Sequence, residues 1–196
     1  MKSLRFVLCV ALMSLSTVAF AQSDALKMAD PKAAAPKSEA QISFDALKTL
    51  AGDWEGPVKT DMPMAAKVDI KPLRVSMRVT SRGNVLVHEM QEAGTLLDAA
   101  KYDHPVTMLY VDVDANRLTL VHYCDAGNRP RMTGKMSPDG KTLEFDFADL
   151  SGSNKYGHMY HSVFTIIDAN HHTEDWTYMM PGDKPVHAHV DLQRTK

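Results

Sequence analysis

The sequence predicts an all-β fold, an up-and-down closed β-barrel of about ten antiparallel strands preceded by a short N-terminal helix. Three observations carry this. Beyond Gly52 no helical apolar period is sustained, and apolar and polar residues alternate instead. The alternating segments are short and are punctuated by Gly, Asn, Asp and Pro. Most connections are of hairpin length, so successive strands pair as neighbours, and closing such a meander removes its unpaired edges.

The chain opens with Lys2 and Arg5, an apolar run from Phe6 to Leu15, and Ala19-Phe20-Ala21. A basic start, a short apolar segment and small residues at −3 and −1 predict a signal peptide over 1–21 and export to a bacterial periplasm. The run is shorter than the roughly 20 residues a span needs, and no later segment is long and apolar enough, so no membrane span is expected. Cleavage leaves 20 basic and 24 acidic residues, a mildly acidic balance with no electrostatic case for nucleic acid or anionic lipid as partner. It also removes Cys9, and the remaining Cys124 cannot form an internal disulfide. Residues 22–40, rich in Ala, Pro, Lys and Ser, read as a flexible linker. The barrel domain is expected over 41–196, long enough to bury a self-sufficient core.

In that domain Ser43 is placed to cap a short helix that carries Phe44, Leu47 and Leu50 on one face and ends at Gly52. The first strand holds Trp54, Gly56 and Val58, and Leu73–Thr80 alternates cleanly. Ser81-Arg82-Gly83-Asn84 turns the chain into Val85–Glu92. Val106–Val113 and Arg117–Cys124 flank Asp114-Ala115-Asn116, and Ser137-Pro138-Asp139-Gly140 joins Arg131–Met136 to Leu143–Phe147. His158–Ile167, His172–Met179 and Val186–Arg194 complete the set.

The segment Phe44-Asp45-Ala46-Leu47-Lys48-Thr49-Leu50-Ala51-Gly52-Asp53-Trp54-Glu55-Gly56 resembles the opening of lipocalin-like (calycin) barrels. Over 41–196 the chain is most similar to uncharacterised secreted bacterial proteins akin to the nitrobindin-like haem-binding barrels, and His122–Met132 resembles a segment that recurs there. The likeness departs at Val58, where that group has a further glycine. It implies a small-molecule cavity, with haem as the cofactor it suggests. It also implies a structural pair: Trp54 closing one end, with Arg194 packed across its ring.

The nine histidines all lie in the barrel region. His122 and Cys124 share a face with Leu118 and Leu120, and are expected at the cavity. A Cys–His pair suits nucleophilic catalysis only in direct contact, and neighbours two apart on a strand stand about 7 Å apart. No catalytic residue is therefore assigned. Met108, Tyr110 and Tyr160 are expected to line the ligand site, with either His158 or His161 facing in and parity leaving the choice open. His187 and His189 alternate on the last strand, on the face opposite Val190 and Leu192. Ten of the thirteen methionines fall in the barrel, and their flexible thioethers suit an adaptable apolar cavity. The expected function is binding of a small apolar or amphipathic molecule, with a haem- or metal-binding barrel as the alternative.

Overall fold

The computed structural model describes residues 36–195 apart from Met64 and Ala99. The expected signal peptide and all but the last residues of the expected linker lie outside the described residues. One helix, α1 (Glu39–Lys48), precedes β1 (Gly52–Gly56), β2 (Val58–Thr60), β3 (Leu73–Thr80), β4 (Val85–Glu92), β5 (Val106–Asp112), β6 (Arg117–Tyr123), β7 (Arg129–Met136), β8 (Thr142–Ser151), β9 (His158–Asp168), β10 (His171–Met180) and β11 (Lys184–Arg194). Among the described residues no helix is long and apolar enough to cross a membrane.

From β3 to β11 each strand pairs antiparallel with the next, and β1 bridges β3 and β11. β1 and β2 are two halves of one strand broken at Pro57, which has no N–H to give the ladder. Both halves pair with β11, so the wall has ten strands and no free edge. Gly56 sits at the bend because a β-carbon there would collide with the Asp191 carbonyl of β11.

The helix begins two residues before the expected domain boundary. Ser38, not Ser43, is its cap, accepting from the Gln41 N–H. Ser43 is instead buried, and its hydroxyl donates to the Glu39 carbonyl one turn back. Ala40, Phe44 and Leu47 form the buried face that seats α1 against β5, β6 and β7. Here the barrel is filled: Leu50, Trp54, Val75, Leu86, Leu109, Leu118, Leu120 and Leu192 belong to one buried cluster with Phe44 and Leu47.

Trp54 is fully buried and donates its indole N–H to the Leu50 carbonyl at 2.8 Å. Arg194, paired with Trp54 across β1–β11, lies with its Cζ 4.0 Å from the ring centroid. The guanidinium also donates to the carbonyls of Ala51, Thr49 and Ala169 at 2.7, 3.1 and 2.8 Å. One cation thus ties the α1–β1 connection to the β9–β10 turn while stacking on the closing indole.

Candidate functional site

Above the filled end the inner face becomes polar. Strand register places His88 (β4), Thr107 (β5) and His122 (β6) side by side in one row. On β10 the alternation of His172, Glu174, Trp176 and Tyr178 with Thr173, Asp175, Thr177 and Met179 turns the first set inward. His88, His172 and Glu174 are wholly buried.

Glu174 organises this layer. Its carboxylate lies 3.0 Å from His88 Nε2 at both oxygens, 3.1 Å from His172 Nε2 and 2.9 Å from Trp176 Nε1. A carboxylate only accepts, so all three ring nitrogens donate to it. Burial alone would raise the pKa of Glu174. Attraction to the His88 ring and the hydrogen bonds from His172 and His88 outweigh burial and hold the carboxyl below its ordinary range. Its acceptor sites are taken up within the core, so Glu174 has none to offer a ligand. Its work is to fix the His88 and Trp176 rings, with His172 in turn set edge-on against Trp54 at 4.2 Å.

Trp176 supports the next group up, its ring 5.8 Å from that of His122. His122 is 1% exposed, and its Nδ1 is 2.9 Å from the Thr107 hydroxyl. Its Nε2 has no hydrogen-bond partner among the described residues. Burial, with a smaller contribution from His88, pushes its pKa down to about 4, so the imidazole is neutral at pH 7.

His122 lies at the base of a cavity of about 650 Å³ that opens at the end of the barrel away from α1. Met90 and Met159, both nearly buried, form its inner wall together with Cys124 and Tyr178. Met62, Asp103, Asp125, Tyr156 and Met180 surround the mouth. Burial, reinforced by Asp103 and Asp125, pushes the Cys124 thiol up. The nucleophilic thiolate is therefore disfavoured, and the thiol serves as a soft apolar wall.

Of the residues expected at the site, His122 and Cys124 line the cavity. The others lie elsewhere. Met108 and Tyr110 sit on the outer face of β5, because Thr107, Leu109 and Val111 point inward. Both faces of β5 are apolar, and bulk alone favours the wrong one; the deciding contact is the Thr107–His122 hydrogen bond. Tyr160 is 41% exposed because β9 bulges at that residue: Tyr178 pairs with Met159 and Thr177 with His161. The slip turns Met159 into the cavity and leaves Tyr160 stacked on Phe147 at 5.6 Å. His161 faces outward with Asp146 and Glu144, at 3.1 and 3.8 Å. His158 packs against Phe147 and bonds Asn154 at 2.8 Å, outside the cavity lining. His187 and His189 also lie outward, paired with Asp61 and Asp175.

Sequence reasoning missed His88, Glu174, Trp176 and Thr107, and with them Met90, Met159 and the two rim carboxylates. A readable signal existed for β10, where a glutamate keeps parity with a tryptophan and a tyrosine while the alternate positions are Thr, Asp and Thr. Such a glutamate is either exposed beside large aromatics or buried with donors.

No protein-family profile matches the chain, and no curated protein does. Among solved structures the barrel is similar to Rv2717c from Mycobacterium tuberculosis, with 15% identity, a TM-score of 0.55, and coverage of 79% of this chain and 98% of that one. A protein of unknown function of the DUF3598 family from Nostoc punctiforme matches over 83% of this chain and 53% of its own, at 15% identity and a TM-score of 0.39. At that identity the likeness to Rv2717c establishes a shared closed barrel and nothing about its contents.

Proposed function

We propose that this is an exported binding protein that holds a small apolar or amphipathic molecule in the cavity above His122. The observation that carries the reading is one buried, neutral imidazole with an unpartnered nitrogen at the base of a cavity of about 650 Å³ whose inner wall is largely apolar. Sites for small molecules have this form: a concave apolar wall that supplies affinity and a few polar groups that fix orientation. The basic start, short apolar run and Ala19-Phe20-Ala21 support a periplasmic location in this reading.

The test is a titration of an environment-sensitive apolar dye into the purified chain, read by fluorescence. Saturable binding near one dye per chain is expected, and His122→Leu should change the Kd severalfold while the circular dichroism stays that of a barrel. Unsaturable uptake, or identical binding by the variant, would refute the assignment of this cavity.

A second reading is favoured by the same nitrogen. A neutral imidazole with a spare lone pair is the donor that haem iron or a soft metal ion takes. Within the cavity lining His122 is the histidine placed to supply it, with Met90, Met159 and Cys124 as soft neighbours. A haem titration that gives a Soret shift in the parent protein and none in His122→Leu would favour this reading over the first.

A further inference from the structure

We propose that the ligand is a cationic amphiphile, an amine or quaternary ammonium on an apolar body, held with its body against Met90 and Met159 and its charge at the Asp103–Asp125 rim. This rests on the binding reading above and specifies the chemistry of its ligand. The cavity lining contains two carboxylates and no lysine or arginine. Among the described residues neither carboxylate has an ion-pair partner. Elsewhere on this surface Asp45, Asp149, Asp175 and Asp191 each face a Lys, Arg or His, while Asp114 and Asp139 share the lack of an ion pair but stand singly on exposed turns. Two nearby lysines do not serve the rim acids. Lys101 lies over the Tyr102 ring at 4.9 Å and Lys155 over the Tyr156 ring at 5.0 Å.

The two carboxylates also act on one another. Loss of solvent, and then the like charge of Asp125, push the Asp103 carboxyl up, and the Asp125 backbone N–H and the adjacent His104 only partly offset this. A protein that leaves two like charges uncompensated at a cavity mouth gives that mouth a sign: anions are repelled, and a cation relieves both carboxylates. The acids alone would be an ordinary solvated pair. Their position over an apolar cavity with the unpartnered His122 at its base makes them one end of a site. The distribution of polarity then orients the guest, charge outward and apolar body inward, with His122 meeting the inner end.

The experiment compares three probes of equal chain length, decyltrimethylammonium, decanol and decanoate, each below its micelle concentration. Each competes with the apolar dye on the full exported chain at low salt. The ammonium should bind at least tenfold more tightly than decanol, and decanoate the most weakly. Asp103→Asn with Asp125→Asn should erase the ammonium's advantage and leave decanol's affinity unchanged. Should that variant fold poorly, the parent protein supplies the check, since roughly molar salt should shrink the ammonium's advantage severalfold. Equal binding of decanol and the ammonium, or a preference indifferent to both the double substitution and salt, overturns the proposal while the cavity reading stands. Displacement by none of the three overturns both.

Discussion

The two ends of the barrel use similar residues for opposite purposes. At the α1 end a cation and an indole meet face to face, and every polar group of Arg194 and Trp54 has a protein partner. At the open end the one side-chain hydrogen bond of His122 is made by Nδ1, leaving Nε2 without a protein partner, Cys124 is a free thiol, and two carboxylates have no countercharge. The Glu174 layer separates the two regions: its carboxylate is satisfied by His88, His172 and Trp176, whereas the Nδ1 atoms of His88 and His172 stay sealed in the core without a partner. The difference teaches where stability and function divide. An unpartnered group costs free energy wherever it is buried, but only one that borders an open cavity can be met by a guest, and that sets the His122 end apart.

The largest effect should come from attacking the closed end. Trp54→Ala should destabilise by about 3–5 kcal/mol, the usual loss for a buried large aromatic. Arg194→Ala should cost less, and the double variant should cost less than the sum, because each single change already removes the stack. Denaturant unfolding of the four proteins checks this. Strict additivity would mean that the ring and the guanidinium stabilise the barrel independently, and the closed end would lose its account.

A middle-sized effect separates the ends by pH. His122 titrates near 4 in the folded protein against about 6.5 when unfolded. Between those values the unfolded chain binds a proton that the folded one does not, so stability rises with pH across that window. The stabilisation is fully present above about pH 6.5 and is lost as pH falls toward 4. Its total is on the order of 3 kcal/mol from the size of the shift. His122→Leu should flatten this part of the stability–pH curve, whereas Arg194→Ala should leave its slope unchanged. An unaltered slope in His122→Leu would mean that the acid sensitivity belongs to another group.

The closed end was legible in the sequence because local rules decide it. A helix with one apolar face, a glycine, and a tryptophan two residues later have few alternatives, and Arg194 shares parity with Val190 and Leu192. The cavity was only partly legible, and the reasons are particular. Parity fails wherever a bulge inserts a residue, and a single slip at Tyr160 exchanged Met159 for Tyr160 as the cavity-facing side chain. Parity is also uninformative where both faces are apolar, as on β5, where the inward choice of Thr107 follows from a partner fifteen residues away. The Glu174 layer joins β4 to β10, eighty-six positions apart. Local patterning carries no information about such a contact. Asp103 and Asp125 belong to loops with no period to place them.

The smallest effect should come from a histidine that the barrel turns outward. His187 and Asp61 are both more than half exposed, and the imidazole Nδ1 lies 2.9 Å from the carboxylate. Exposed pairs of this kind contribute little, so His187→Ala should leave the denaturation midpoint where it was. The sharper question is binding, because Asp61 directly precedes Met62 at the cavity mouth. Loss of the imidazole does not release that segment. The His187 N–H still donates to the Asp61 carboxylate, and the Asp61 N–H still donates to the His187 carbonyl at 3.2 Å. Dye affinity should therefore be unchanged, in contrast to His122→Leu. A change in Kd as large as that of the His122 variant would show that the outer face controls the mouth, and the division between a ligand-facing and a solvent-facing set of histidines would fail.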